Sequence, residues 1–268
     1  MATIAFVHAH PDDETISTGG SMARAAADGH RVVLVVCTNG EHGEVPDDLA
    51  EGETLVDRRR AETERSAAQL GVDRIVWLGY HDSGMTGWEQ NQDPRSFLQA
   101  DPDEAADRLA GVLREERADV AVLYDWHGNY GHPDHVQVHR VGHPAADRAG
   151  TPKRFEATIN RDVAKRGIEA MIAAGAPEFA DFDPTGPADD GNPVGTPEAE
   201  IHLAVDVGRY VPAKRAAIAC HASQVTDTSM FLAMSEEVFA AAFGTEWYIE
   251  PGAPPGLRRG WLLDGLDQ

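Results

Sequence analysis

The order His-Pro-Asp occurs twice in this chain, at residues 10–12 and 132–134, and each copy follows an apolar segment. In the first copy His10 and Asp13 are three residues apart, a spacing that places both side chains on one side of a helical turn. In the second copy His132 and His135 repeat that spacing. Neutral imidazole and carboxylate are ordinary zinc ligands. Two such clusters in one chain predict a divalent metal site to which both contribute.

Asp12 lies between the two candidate ligands of the first copy and points in another direction, so it is free to act as a base on a bound water. The alternative is that the acids at residues 12–14 only cap a helix, where negative charge is favoured. Capping explains one acid but not the whole sequence His-Pro-Asp-Asp-Glu. A catalytic metal site is therefore the better interpretation.

The segments around the two copies must place them at the ends of strands. Apolar, β-rich segments alternate with helical patterns, giving strands at residues 5–7, 31–37, 74–78 and 119–124 and helices at residues 15–28, 55–70 and 103–116. This alternation predicts an α/β fold with a doubly wound, mostly parallel sheet. The carboxyl ends of parallel strands share one edge of the sheet, where ligands bind in such folds. Both copies should therefore meet at that edge.

The second half of the chain has weaker patterns. We predict strands at residues 155–160, 201–207 and 245–249, helices at residues 163–174, 211–221 and 235–243, and a surface loop or lid at residues 175–197. His139 and His143 continue the helix that the second His-Pro-Asp opens, at a spacing of four residues. We interpret them as flanking residues of that helix, with a metal role as the alternative.

Composition limits the classes of partner. The 268 residues carry 23 basic and 45 acidic side chains, a formal net charge of −22. Such a charge repels nucleic acid and anionic membranes, so neither is expected as a partner. Cys37 and Cys220 show no paired spacing and are expected to be reduced. Without a signal-peptide pattern or an apolar stretch of about 18 residues, we expect a cytoplasmic protein with a small-molecule substrate. A homo-oligomer of this chain is compatible with the sequence.

Three further segments accompany the two His-Pro-Asp copies: residues 59–62 (Arg-Arg-Ala-Glu), residues 78–85 (Leu-Gly-Tyr-His-Asp-Ser-Gly-Met), and residues 221–224 with Lys214 upstream. With them, the chain resembles the LmbE-like, or PIG-L, family of zinc-dependent de-N-acetylases. That family includes GlcNAc-phosphatidylinositol deacetylases, deacetylases of mycothiol and bacillithiol assembly, and antibiotic sugar deacetylases. The resemblance implies a Rossmann-like metal-binding catalytic core at residues 1–150. Residues 151–268 would form a smaller portion that completes the same domain and walls the substrate site.

The resemblance also implies roles for individual residues. His10, Asp13 and His135 would bind one Zn²⁺ per chain, or another divalent metal, and leave a position open for water. Asp12 would be the general base. His132 would lie opposite the base, with Tyr130 beside it. Arg59 and Asp82 would bind the hydroxyl groups of the sugar.

The expected reaction is the removal of an acetyl group from an N-acetylated amino sugar or its conjugate. Zinc lowers the pKa of its water toward ~7, Asp12 accepts the proton, and a protonated His132 stabilises the oxyanion. Asp134 would keep His132 protonated by proximity. Whether Asp12 or His132 protonates the leaving amine stays open.

Other functions remain as alternatives. An amidase that cleaves a mycothiol-type thiol conjugate is one, because residues 82–85 resemble both branches of thiol metabolism. A non-catalytic zinc-binding protein is another, although a free carboxylate at Asp12 argues against it. His8 and His10 resemble the HxH pair of amidohydrolase barrels, but the chain has too few strands for a (β/α)₈ barrel. No GxSxG, GxGxxG or P-loop sequence supports a serine hydrolase or a nucleotide-binding protein.

Overall fold

The structure is a computed structural model that describes residues 1–173, 183, 185–188, 190–224, 229 and 231–266. Its strands are β1 (Thr3–His8), β2 (Arg31–Thr38), β3 (Arg74–Tyr80), β4 (Val120–Tyr124), β5 (Lys153–Thr158), β6 (Leu203–Asp206), β7 (Thr245–Ile249) and β8 (Arg258–Arg259). Within the described residues they form one sheet in the order β3-β2-β1-β4-β5-β7-β6-β8. Strands β1 to β5 pair in parallel, and β7 pairs antiparallel to both β5 and β6. The predicted doubly wound, mostly parallel sheet is confirmed.

Helices cover both faces of this sheet. They are α1 (Asp13–Ser17), α2 (Gly19–Ala27), α3 (Leu55–Leu70), α4 (Pro102–Glu116), α5 (Gly128–Gly131), α6 (Pro133–Ala149), α7 (Arg161–Ala173), α8 (Val211–Ile218) and α9 (Glu236–Phe243). Helices α4 and α6 pack on one face, and residues of α2, α3 and α8 pack on the other. Successive strand residues point to opposite faces. The central strands are therefore buried on both sides and apolar throughout.

The helix predicted over residues 15–28 is wrong, because α1 and α2 are separate helices that meet at Thr18. The Thr18 hydroxyl donates to the Glu14 carbonyl oxygen at 3.1 Å and contacts His8 Nε2 at 2.8 Å. A Cβ on Gly20 would lie 2.6 Å from the Val207 side chain. The paired glycines thus allow close helix packing at the point where the chain bends.

The sheet continues from the first half of the chain into the second, since β5 lies beside β4 and β7 lies beside β5. The loop predicted over residues 175–197 falls partly outside the described residues. Its described end lies against the turn that precedes α6, where the Gly195 amide donates to the Asn129 carbonyl oxygen at 2.6 Å. No helix among the described residues is long and apolar enough to cross a membrane.

Candidate active site

The two His-Pro-Asp segments lie side by side because β1 and β4 are neighbouring parallel strands. The first segment follows β1 and opens α1. The second follows β4 after the short helix α5 and opens α6, with His132 as the N-cap and Pro133 as the first helical residue. Proline suits that position because its fixed φ favours a helix start and its missing N–H has no partner there to lose. Both segments therefore present their side chains at the same sheet edge.

Three ligand atoms from these segments form an equilateral triangle. The His10 Nδ1 to Asp13 Oδ2 distance, the His135 Nε2 to Asp13 Oδ2 distance and the His135 Nε2 to His10 Nδ1 distance are each 3.3 Å. A tetrahedral ion with bonds of about 2.0–2.1 Å separates its ligand atoms by about 3.4 Å. The three atoms thus match one face of a tetrahedral coordination shell.

The hydrogen bonds behind the triangle leave the correct nitrogen of each imidazole available. His10 Nε2 lies 3.1 Å from Asp134 Oδ2, so a proton on Nε2 leaves the Nδ1 lone pair for a metal. His135 Nδ1 lies 3.2 Å from the Gly128 carbonyl oxygen, which leaves its Nε2 lone pair available in the same way. The ring of Tyr124 stacks on His135 with centroids 4.3 Å apart and fixes its orientation.

The charges around His10 also favour a cation. Burial by itself would lower the pKa of His10, but the carboxylates of Asp82, Asp13 and Asp134 outweigh it and hold the pKa well above its ordinary value. Within the described residues, two overlapping groups of potential ligands share His10: one with His132 and His135, the other with Asp82, His132 and Asp134. This concentration of buried carboxylates needs a compensating positive charge, and a divalent metal ion fits the donor set.

Asp12 lies beside the triangle in an unusual backbone conformation. Its φ of 104° and ψ of −33° place a non-glycine residue at positive φ, at a cost of roughly 1–3 kcal/mol. The Asp12 amide donates to Glu14 Oε2 at 2.9 Å, and its carbonyl oxygen accepts from the Thr15 amide at 2.9 Å. Burial raises the pKa of Asp12 to about 6, with Arg59 opposing and Asp13 adding to the rise. The Asp12 carboxylate thus contacts Arg59, whereas the Asp13 carboxylate contacts His10 and His135.

Arg59 is buried behind Asp12. Its Nη2 donates to Asp12 Oδ2 at 2.9 Å and to the Pro11 carbonyl oxygen at 2.5 Å, while Nη1 donates to the Gly40 carbonyl oxygen at 2.7 Å. A Cβ on Gly40 or Gly43 would lie 2.5 Å from Arg59 Nη1. The glycines of the loop after β2 therefore make room for the guanidinium. This placement gives Arg59 a contact with the candidate base that the sequence alone does not show.

His132 and Tyr130 lie on the side of the triangle formed by the second segment. The His132 ring is 4.4 Å from the His10 ring and 6.3 Å from the Tyr130 ring, centroid to centroid. The Asp134 amide donates to His132 Nδ1 at 3.1 Å, so the proton of the neutral ring lies on Nε2. Burial, with the charges of His10 and His135, lowers the pKa of His132 well below its ordinary value. The geometry favours a neutral His132 over the protonated form expected from the sequence.

Asp134 and Asp82 both contact His10. The Asp134 carboxylate accepts from the Ser83 amide at 2.9 Å and from the Ser83 hydroxyl, and it faces His10 where the sequence led us to expect His132. Asp82 Oδ1 accepts from the Gly84 amide at 2.8 Å and lies 3.5 Å from His10 Nε2. Asp82 therefore shapes the turn after β3, and it also stands within reach of the metal ligands.

Sequence reasoning missed the buried pair behind the first segment. Glu14 Oε1 lies 2.8 Å from His221 Nε2 and accepts from the Ser66 hydroxyl at 2.6 Å, while its other oxygen holds the Asp12 amide. Glu14 and His221 are both fully buried. A signal was present, because Glu14 ends the first segment and His221 begins the block at residues 221–224. The pairing itself could be recognised only in the folded structure, because Glu14 and His221 are 207 positions apart in the chain.

The chain matches a known family model and is similar to named relatives. The family model described as PIG-L, GlcNAc-PI de-N-acetylase, matches residues 5–146. The chain is 41% identical over 262 residues to a 1D-myo-inositol 2-acetamido-2-deoxy-alpha-D-glucopyranoside deacetylase of Acidothermus cellulolyticus, covering 93% of this chain and 88% of the relative. The protein of the same name from Thermomonospora curvata is 40% identical over 293 residues, covering 98% and 96%.

A solved structure shows the same fold at lower similarity. The N,N'-diacetylchitobiose deacetylase of Pyrococcus horikoshii aligns with a TM-score of 0.56 and 23% identity, covering 92% of this chain and 83% of that one. At this identity the likeness concerns the fold alone.

Proposed function

This chain belongs to the PIG-L family of de-N-acetylases, and from that premise we propose that it hydrolyses the acetamide of an N-acetylglucosamine linked to inositol. The family and the relatives make it a metal-dependent hydrolase of the deacetylase type. The names of the relatives supply the inositol conjugate as the substrate class. The single observation that carries the proposed chemistry is the triangle of ligand atoms from His10, Asp13 and His135, each 3.3 Å from the other two.

We propose His10, Asp13 and His135 as the ligands of one zinc ion. Two imidazole nitrogens and one carboxylate oxygen are a donor set that zinc accepts, and three protein ligands leave a position for water. When bound, zinc would polarise the acetyl carbonyl and lower the pKa of the attacking water. Asp134 and the Gly128 carbonyl oxygen hold the two imidazoles in the tautomers that this binding needs.

The proton steps are assigned to Asp12 and His132. Asp12 accepts the proton of the attacking water, and Arg59 and the Glu14 carboxylate keep its side chain and backbone in place. His132 Nε2–H donates a hydrogen bond to the oxyanion that forms as water adds to the acetamide carbon. Asp12 then releases its proton to the leaving amine, which gives acetate and a free amino sugar. A neutral histidine is sufficient for the donor role.

The wall of the substrate site is proposed to come from both halves of the chain. Asp82 stands at the end of β3, and Tyr130 lies next to His135, with its hydroxyl 3.5 Å from Nε2. We propose that Asp82 and Tyr130 face the sugar, and that Arg59 acts through Asp12. Asp190 and Gly195 lie against the turn that carries Tyr130, which supports a contribution of the 151–268 portion to the wall.

The deciding experiment is a substrate panel scored by release of free amine. Zinc-loaded protein should be offered GlcNAc-inositol, GlcNAc, an N-acylated antibiotic glycoside, a mycothiol conjugate and acetyl-lysine peptides. We expect the highest kcat/KM on GlcNAc-inositol. Asp12→Asn with equal zinc content is the matched control for contaminating activity. Preference for the thiol conjugate would replace the deacetylase proposal by an amidase, and activity only on acetyl-lysine would refute both.

A further inference from the structure

A second cluster of potential metal ligands lies on the other side of β4 from the catalytic triangle. His139 and His143 on α6 and Glu156 on β5 bring one ligand atom each within 4.8 Å of the others. His143 Nε2 is 2.8 Å and His139 Nδ1 is 3.6 Å from Glu156 Oε1. These separations bracket the spacing of about 3.4 Å between the ligands of a tetrahedral ion. We call these three residues the α6–β5 cluster.

We propose that the α6–β5 cluster binds a second divalent cation, with Zn²⁺ the preferred ion, independently of the catalytic site. Two histidines four residues apart on one helix face form a recurrent bidentate metal-binding arrangement. The carboxylate from the neighbouring strand supplies the third ligand, and imidazole nitrogens together with carboxylate oxygen suit a borderline cation. Three protein ligands again leave a position for water.

The charge of Glu156 supports the presence of a cation. Glu156 is 8% exposed, and its ion-pair partners within the described part of the chain are His139 and His143, with no lysine or arginine among them. A buried carboxylate without a permanent positive partner is costly, so a divalent ion between it and the imidazoles would compensate its charge.

The α6–β5 cluster is separate from the catalytic triangle although it shares α6 with it. His139 follows His135 by one helical turn, and its Nδ1 donates to the backbone oxygen of Tyr124 at 3.1 Å, a hydrogen bond that ligation of a cation through Nδ1 would replace. The ring of Tyr124 stacks on His135. The side chains of His139 and His143 are 25% and 22% exposed, against 2% for His135. Solvent therefore reaches the α6–β5 cluster more easily, and its ion should exchange faster than the catalytic one.

Zinc stoichiometry tests the proposal. Metal-free protein is titrated with Zn²⁺ against a chromophoric chelator, and wild type should bind two ions, one tightly and one more weakly. His143→Gln and His139→Gln should each weaken the second ion at least about tenfold and keep the first, with unchanged deacetylation at one zinc per chain. Asp13→Ala should show the reverse, loss of the tight ion with the weaker one retained.

His30→Gln is the matched control, because the His30 side chain accepts a hydrogen bond from the Ala2 amide at 3.1 Å and belongs to neither proposed metal site. It should bind two ions like wild type. If the histidines only hold Glu156 by hydrogen bonds, both cluster variants lower Tm and leave zinc stoichiometry unchanged. A wild-type stoichiometry of one, or a second ion that persists in both cluster variants, would overturn the proposal.

Discussion

At the scale of single residues, the proposed metal ligands of the first segment and the proposed base lie within four consecutive positions. His10 and Asp13 face His135, the proposed third ligand, whereas Asp12, at positive φ, directs its carboxylate to Arg59. The strain at Asp12 is maintained by hydrogen bonds to its amide and its carbonyl oxygen.

Replacing Asp12 by Asn should remove the general base and keep the metal. We expect kcat to fall by about 10²–10⁴-fold with unchanged zinc content, because Asn cannot accept the proton of the attacking water. Steady-state kinetics and elemental analysis measure both quantities. Asp28→Asn, at an exposed position, is the control and should retain full rate. Near-wild-type turnover by zinc-loaded Asp12→Asn would show that another group is the base.

Arg59→Lys distinguishes a positioning residue from a residue that binds sugar. The guanidinium contacts three oxygens at once, and a lysine ammonium cannot reproduce that planar fork. If Arg59 positions Asp12, kcat should fall by about 10²-fold with little change in KM. Arg60→Lys on the same helix, where Arg60 contacts Asn39, should change neither. A rise in KM with kcat preserved would indicate that Arg59 binds the sugar substrate instead.

At the scale of elements, the site is assembled from the turns that follow parallel strands. The turn after β3 contributes Asp82 and Ser83, and Ser83 holds Asp134 at the start of α6. The loop after β2 closes around Arg59 from α3. The segment after α8 places His221 against α1. Each of these turns thus supports a residue that belongs to another element. The sequence of the turn alone does not show which residue that is.

The turn after β3 can be tested with two variants of Asp82. Asp82→Ala removes the acceptor of the Gly84 amide and should reduce the free energy of unfolding by about 1 kcal/mol. Asp82→Asn keeps an acceptor and should restore most of that stability. If the carboxylate contacts the sugar, kcat/KM falls in both variants at constant zinc content. Recovery of both stability and rate in Asp82→Asn would make Asp82 a turn-forming residue only.

The contact between α1 and the segment after α8 predicts a pH-dependent contribution to stability. Burial lowers the pKa of His221, but the carboxylates of Glu14 and Asp12 outweigh it and Arg59, so the pKa lies above its ordinary value of 6.5. The stabilisation is therefore fully present below pH 6.5 and is lost as pH rises through the folded-state pKa. The Tm difference between wild type and His221→Gln should shrink from pH 6 to pH 9. A difference that grows over this range would contradict the assignment.

At the scale of the whole molecule, a buried carboxylate from residues 151–268 holds the backbone of residues 1–150 and is itself paired with a lysine. Lys214 Nζ lies 2.7 Å from Glu246 Oε1, and both side chains are nearly inaccessible to solvent. The two Glu246 carboxylate oxygens also accept from the amides of Gly20 and Ser21 at 2.8 Å each. Strand β7 and helix α8 thus hold the start of α2, close to the first His-Pro-Asp segment. We propose that residues 151–268 complete the domain that residues 1–150 begin.

Removal of one partner of this pair should destabilise the whole fold. Lys214→Met leaves a buried carboxylate without its cation, and we expect the free energy of unfolding to fall by roughly 3–5 kcal/mol in urea denaturation. Lys153→Met, which breaks the more exposed pair with Glu250 at 3.6 Å, is the control and should cost at most about 1 kcal/mol. Equal effects of the two variants would mean that the buried pair of Lys214 with Glu246 does not stabilise the fold in the way the geometry indicates.

Several features of this protein were determined by the sequence itself, because they depend on neighbouring residues. Alternating strand and helix patterns predicted the doubly wound sheet, and His-Pro-Asp after an apolar strand placed both segments at one edge. The spacing of His10 and Asp13 predicted that they share one side of a turn. These are local properties, since periodicity and proline geometry act within a few residues.

Only the tertiary structure decided which side chains meet across the chain. Asp134 pairs with His10 over 124 positions, Arg59 with Asp12 over 47, and Glu14 with His221 over 207. Such pairs depend on strand order and helix packing, which no local pattern encodes. The same holds for Glu156, whose two histidines are visible in the sequence as a helical pair but whose carboxylate comes from the neighbouring strand. Spacing along the chain predicts candidate ligands, whereas their partners depend on how the sheet brings distant turns to a common edge.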